Sequence, residues 1–405
     1  MAICIDEALK IIELNVKKVS VEIIPIENTQ NRICATDIYA TLSLPTFNNS
    51  AMDGYGVKLN NNNSKVKVID TILAGSSKQT NIMDKECIKI MTGARVPNSV
   101  EAIIPHELVE VIDDDNIILP QNIKENQHIR FIGEDVQKDK KILSDGDEIN
   151  FATITILASQ GITHIKVYRQ PKISVFTSGE ELKLHYEKIE DYQIYNSNTP
   201  TFLARAKELG ADVTFAGMAK DNIESLKEMI SNSLFADLII TSGGVSVGDA
   251  DFTKDAFNEF DIDTLFDGIA IKPGKPTVFG RIGNTYVLNL PGNPLAAALI
   301  FEVFGKIILQ NLTGNKNIYH NFINTKISED LNNKKGRDTV IPGFFNGEHF
   351  TPSQKRMPGM VGVLHNCNSM IILDKDTEKI SKDMMIKVLP INWKFFTDMK
   401  KNYLN

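Results

Sequence analysis

After Pro171 the chain alternates strand-like and helix-like runs, and this alternation limits the possible folds more than any other feature. Segments 172–177, 213–218, 236–241 and 286–290 are β-prone, and 200–209, 223–234, 253–260 and 294–312 carry helical apolar spacing. Such an order predicts a parallel sheet with helices on both faces. The helix signals agree with it. Thr199 is placed to cap a helix with Pro200 at its first position and Gly210 at its end, and Asn293-Pro294 repeats the start signal.

The rest of the chain has a different texture. Residues 6–16 predict an amphipathic helix behind an Asp cap. From 21 to about 151 short β-rich runs (66–69, 87–91, 102–104, 117–119) lie between polar turns, followed by one helix over 150–161. From about 319 short strands with Gly and Pro turns return. The expected architecture is multidomain α/β plus β: a central α/β parallel-sheet domain (171–318), a β-rich N-terminal domain (44–134) and a small C-terminal β-barrel-like domain (319–405). An N-terminal linker or dimerisation region of helices and extended strands (1–43 and 135–170) completes it.

Composition narrows the function. A chain of 405 residues with 42% hydrophobic and 23% charged residues is a soluble multidomain protein. A net charge of −7 argues against a general nucleic-acid binder, so basic residues in loops read as specific anion ligands. The four cysteines are scattered with no C-x-x-C, which points to neither a zinc ribbon nor a disulfide scaffold. The N-terminus carries no signal-peptide pattern, and segment 294–312, broken by Glu302 and Lys306, falls short of a membrane span. The default location is the reducing cytoplasm, with no membrane partner.

Five loops carry the chemistry. Ser50-Ala51-Met52-Asp53-Gly54-Tyr55-Gly56-Val57 sets a carboxylate among glycines, either as a functional acid or as a tight turn in which Asp53 bonds its own backbone. Leu238-Ile239-Ile240 empties into Thr241-Ser242-Gly243-Gly244-Val245-Ser246-Val247-Gly248-Asp249-Ala250-Asp251, at the strand end where open α/β sheets bind ligands. Its backbone N–H groups and hydroxyls suit an oxyanion, although it matches neither a Walker A loop nor G-x-G-x-x-G. Lys272-Pro273-Gly274-Lys275-Pro276 holds two lysines on a stiffened loop. Leu290-Pro291-Gly292-Asn293-Pro294 opens a helix whose N-terminus attracts anions, or is simply a capped helix start. Thr177-Ser178-Gly179-Glu180-Glu181-Leu182 also follows a strand.

Glu181, Asp221 and Asp251 thus come from three strand ends of one sheet and form a candidate Mg²⁺ site, of which only one or two need be ligands. Asp221-Asn222-Ile223-Glu224 also fits a capping box in which Asp221 serves structure alone. In the β-rich region, Ile90-Met91-Thr92-Gly93-Ala94 is a strand followed by a Gly turn, with Thr92 able to donate to an anion or lying in a plain turn.

Taken in order along the chain, these motifs resemble the molybdopterin molybdenumtransferase (MoeA) family, which includes the gephyrin E domain. The likeness runs from about Asp6 to Ile391 and also uses Gly133-Glu134-Asp135-Val136. It implies a MogA/MoaB-like central domain and the final step of molybdenum cofactor synthesis. In that step molybdate reacts with adenylyl-molybdopterin and AMP leaves by Mg²⁺-dependent cleavage. By motif position, Asp53, Thr92, Glu181, Asp221, Asp251, Pro291 and Pro294 match the family's active-site residues. Ser242, Lys272, Lys275 and Arg337 match positions near phosphate or molybdate, and Gly243, Gly244, Ser246 and Asn293 belong to the same binding loops. The resemblance also implies a homodimer with a site shared between subunits, and transient contact with earlier proteins of the pathway.

The chain departs from the family at Phe131-Ile132, where further arginines are usual, and at Asn48, commonly acidic. The loop Gln354-Lys355-Arg356-Met357-Pro358-Gly359-Met360-Val361-Gly362 lacks the expected serines. Two other readings compete: an adenylyltransferase acting one step earlier, and a non-catalytic cofactor-binding scaffold.

Overall fold

The computed structural model describes residues 2–243, 252–392 and 404. The chain divides into two compact units, 1–35 with 145–150 and 165–405, and 36–144 with 151–164.

In the first unit a six-stranded sheet runs in the order Asp212–Ala219, Lys172–Ser178, Leu238–Ser242, Thr285–Leu290, Val278–Ile282, Asp263–Asp267. The first four strands are parallel, as the alternation predicts. Two further strands, which the sequence reading missed, extend the sheet, with Val278–Ile282 antiparallel to both of its neighbours. Helices cover both faces. Phe202 and Ala206 of Asn198–Glu208, with Leu295, Leu299 and Ile307 of the long helix, pack on one side, joined by Ala8 and Ile12. Leu226, Ile230, Ala256 and Phe257 pack on the other. A central parallel strand is buried on both faces and is therefore apolar except where its buried polar groups find hydrogen-bond partners, as Thr241 and Ser242 do at the carboxyl end. All five residues of Leu238–Ser242 are buried.

The long helix, Pro294–Ile300 continuing through Phe301–Gly305 to Lys306–Leu312, is a core element, buried along nearly its whole length. Charge enters it at Glu302, 8% exposed, which accepts from Arg205 Nε at 2.6 Å and Nη2 at 3.0 Å. Arg205 Nη2 also donates to the Ile391 carbonyl, so this one guanidinium ties two helices to the C-terminal segment.

Three helix starts differ from the sequence expectation. The first helix, Ile5–Asn15, is capped by Cys4, whose Sγ accepts from the Glu7 N–H, and not by Asp6. Helix Asn198–Glu208 begins before Thr199 and Pro200, following Ser197. Asn222, not Asp221, caps Ile223–Ser233 by accepting from the Ser225 N–H at 2.8 Å. In each case neighbouring polar residues compete for one position and packing decides between them.

The C-terminal part of this unit closes a barrel of strands Ile323–Ile327, Asp338–Phe345, His349–Pro352, Ser369–Leu373 and Met385–Pro390. Ile327, Ile341, Phe345, Phe350, Ile371 and Val388 fill it. Ile271–Lys272 adds to it in parallel beside Asp338–Phe345.

The second unit holds a six-stranded sheet in the order Ala102–Pro105, Gly54–Val57, Glu86–Ile90, Lys65–Ile72, Asn116–Ile118, Glu110–Asp113. Alternate side chains supply two cores, one with Tyr55, Val57, Cys87 and Ile104, the other with Ile72, Ile88, Ile90 and Ile103. Gly54 is required at its position: a Cβ there would lie 2.1 Å from the Ile104 carbonyl oxygen of the adjacent strand.

Candidate active site

In the first unit the carboxyl ends of the parallel strands open into a cleft of about 750 Å³. Open α/β sheets bind ligands at this edge. Strand Lys172–Ser178 contributes Thr177 and Ser178 and runs on to Gly179 and Glu181; Leu238–Ser242 contributes Ser242 and leads to Gly243; Thr285–Leu290 leads to Pro291, Gly292 and Asn293. Asp221 follows Asp212–Ala219, and Pro294 opens the long helix. The structure therefore brings together Glu181, Asp221, Ser242, Gly243, Pro291, Asn293 and Pro294 out of the residues singled out from the sequence.

The loop after strand Lys172–Ser178 is shaped by Gly179. At φ +147° it has a conformation that L side chains rarely adopt, and a Cβ there would stand 2.7 Å from Glu181 Oε2. The absent side chain lets the Glu181 carboxylate fold back beside the backbone. Asp221 Oδ2 accepts from the Glu180 N–H at 3.2 Å, which ties the two acidic loops together. The capping-box reading of Asp221 therefore fails, because Asn222 does that work.

The Pro294 helix start is as expected, with Asn293 preceding it and Pro294 first. Its free amides, however, are not left for an anion. Leu295 N–H and Ala296 N–H both donate to the Pro358 carbonyl, at 2.9 and 3.3 Å. Pro358 belongs to the C-terminal loop that departs from the family pattern, and Gly359 and Val361 of that loop line the cleft. This loop closes one wall with backbone and apolar groups.

Lys272, Lys275 and Arg337 do not line the cleft, although Pro276, next to Lys275, does. Strand pairing of Ile271 with Asp338 and Lys272 with Thr339 carries Arg337 to the same ribbon as Lys272. Among the described residues none of these three cations has an ion-pair partner. Gly244, Ser246 and Asp251 lie outside the described residues. Among the described residues no group of three or more His, Cys, Asp or Glu side chains could hold a metal ion.

In the second unit, Asp53 Oδ1 accepts from both the Thr92 N–H and the Thr92 hydroxyl, each at 2.7 Å. These two bonds, the backbone one first, hold the Asp53 carboxyl below the ordinary carboxylate range although it is exposed to solvent. Asp53 does not bond its own backbone, and Ser50 serves the turn by bonding Met52. Thr92, left open in the sequence as a possible turn residue, is the group that fixes the acid. By contrast, burial pushes the Cys87 thiol up to about 12 and Cys367 to about 11, so neither is available as a thiolate.

Asn198 escaped sequence reading. It is 9% exposed, lines the cleft, and donates through Nδ2 to the Gly292 carbonyl at 2.8 Å and to Ser242 Oγ at 3.2 Å. Its place in Asn196-Ser197-Asn198 reads as a turn, and only the fold reveals its partners.

An α/β domain with a ligand cleft at its strand ends, a separate β-rich unit presenting a fixed acid, and a C-terminal barrel define a class that comparison identifies. Residues 3–161 match the family described as MoeA N-terminal region (domain I and II), and 174–311 match that described as probable molybdopterin binding domain. A molybdopterin molybdenumtransferase of Haemophilus influenzae is 39% identical over 298 residues, covering 73% of this chain and 74% of that protein. One from Staphylococcus epidermidis is 30% identical over 412 residues, covering 96% and 95%. The crystal structure of a molybdopterin biosynthesis MoeA protein from Pyrococcus horikoshii superposes with a TM-score of 0.84 at 26% identity, covering 97% of this chain and all of that one. The chain belongs to the molybdopterin molybdenumtransferase family and is an enzyme of molybdenum cofactor biosynthesis.

Proposed function

We propose that this enzyme takes molybdate and adenylyl-molybdopterin and releases molybdenum cofactor and AMP in a Mg²⁺-dependent reaction. The observation that carries this reading is the cleft, where two carboxylates, a serine hydroxyl and a Gly-containing turn meet at the strand ends of a sheet. A pterin tethered to a nucleotide by a phosphoanhydride presents both a flat body and charged oxygens, and the cleft has room and donors for both. Ser242 and the amides of its loop would bind the phosphate; Lys272, Lys275 and Arg337 would attract molybdate or phosphate. Gly244 and Ser246, which follow Ser242 in the sequence, are further candidates for the phosphate, and Pro291, Asn293 and Pro294 line the cleft.

Mg²⁺ is held by one or two carboxylates plus substrate oxygens and water. Glu181 and Asp221 meet that requirement at the cleft, and Asp221 Oδ2 has only one protein donor among the described residues, the Glu180 N–H. Asp251 is the third candidate ligand. When bound, the ion would neutralise phosphate charge as the anhydride is cleaved. Asp53, kept ionised by Thr92, would orient or accept a proton from the reacting groups.

The cytoplasmic location, the homodimer with its shared site, the contact with earlier pathway proteins and the four-part domain division remain part of this proposal and rest on the sequence reading. Purified protein incubated with adenylyl-molybdopterin, Mg²⁺ and molybdate should release AMP only when molybdate is present. Pyrophosphate release from ATP with free molybdopterin would instead indicate an adenylyltransferase, and neither product would indicate a scaffold.

A further inference from the structure

We infer that Asn198 is a positioning residue that fixes the Ser242 hydroxyl as a hydrogen-bond donor to an oxyanion in the cleft. The inference rests on the proposed function for the identity of that oxyanion, the adenylyl phosphate.

The Gly292 carbonyl can only accept, so the Asn198 amide must present Nδ2 to it, at 2.8 Å; the flipped amide would set two acceptors together. The same Nδ2 carries a second hydrogen, which reaches Ser242 Oγ at 3.2 Å. Ser242 Oγ is thereby an acceptor towards Asn198, and its own proton is left to point elsewhere. Among the described residues the other near group is Thr177 Oγ1, at 3.4 Å, whose proton is committed to the Ser242 carbonyl at 2.8 Å. Thr177 Oγ1 therefore offers only a long resting contact, which a charged oxygen entering the cleft displaces. A rigid carbonyl thus sets an amide, and the amide sets a hydroxyl. Ser242, Asn198 and Gly292 all line the cleft, and Asn198 and Ser242 are 9% and 3% exposed, so water competes poorly with this chain of bonds.

The test is a double-mutant cycle on AMP binding, measured by calorimetry with wild type, Asn198→Ala, Ser242→Ala and the double variant. A hydrogen bond to a charged group is worth about tenfold or more in affinity. Each single variant should weaken AMP about tenfold, and the double variant should be no weaker than either single by more than about twofold. Independent, multiplying losses, or an Asn198→Ala variant with wild-type affinity, would overturn the inference. Asn198→Asp supplies a second readout should Asn198→Ala unfold. Its carboxylate accepts the Ser242 proton at neutral pH but regains a donor as it is protonated, so its affinity relative to wild type should recover from pH 8 towards pH 5. A flat ratio would contradict a role through Ser242. Inorganic phosphate separates this inference from the functional reading. Wild type that binds phosphate but not AMP defeats the functional reading and leaves the cycle, run with phosphate, to decide on Asn198. Wild type that binds neither defeats both.

Discussion

Gly179→Ala is the substitution whose consequences the structure defines most sharply. Two effects arise from one added methyl group. The backbone at φ +147° is strained for an L side chain, which costs about 1–3 kcal/mol if the fold is to be kept. The new Cβ would also stand 2.7 Å from Glu181 Oε2 and 3.0 Å from Leu182 Cγ. The carboxylate is the end of a flexible side chain and can swing away, so this second effect adds little to the stability loss but removes Glu181 from its place. Expected, then, are a melting temperature lowered by a few degrees and a disproportionate loss of function. Titration of molybdate-dependent AMP release with Mg²⁺ should show a clearly raised Mg²⁺ requirement, approaching that of Glu181→Gln. If Gly179→Ala is destabilised as described but titrates with Mg²⁺ like wild type, Glu181 is not held by this turn for a metal, and the site assignment fails.

Two further perturbations address other parts of the fold. Thr92→Val removes one of the two bonds that depress the Asp53 pKa, leaving the amide. A depressed pKa keeps the carboxylate ionised to lower pH, so the acid limb of the pH–rate profile should move to higher pH in the variant; an unmoved limb would separate Asp53 from the reaction. Arg205→Ala leaves Glu302 buried without its main partner and should cost about 3–5 kcal/mol in a chemical denaturation experiment, whereas Arg205→Met with Glu302→Leu should cost far less. Equal losses in the two proteins would show that packing, and not an orphaned charge, sets the penalty.

The sheet and its helices were legible because a parallel strand covered on both faces carries a continuous apolar run, as Leu238-Ile239-Ile240 does, and because Pro294 and Asn293 mark a helix start unambiguously. The strands Asp263–Asp267 and Val278–Ile282 were not, since the first keeps three exposed residues at the sheet edge and the second contains Gly280 and Arg281. Helix caps were misplaced wherever two or three polar residues stood in a row, as at Asp221-Asn222, because tertiary partners choose among them. The cleft was legible in outline from strand ends followed by Gly, Ser and acidic residues. What the sequence concealed were bonds across long separations: Thr92 to Asp53 over 39 residues, Asn198 to Ser242 over 44, and Arg205 to Glu302 over 97. The closing of the Pro294 helix start by Pro358 was hidden for the same reason, and of the two readings of that segment it leaves the capped helix start and not the anion site.

The most direct trial of the whole account is a crystal structure of the enzyme soaked with AMP and molybdate. The account predicts nucleotide density in the cleft bounded by Glu181, Asp221, Ser242 and Pro291, with its phosphate within hydrogen-bonding reach of Ser242 Oγ. Nucleotide bound instead in the separate cavity beside Lys306 and His320, with that cleft holding only water, would contradict it.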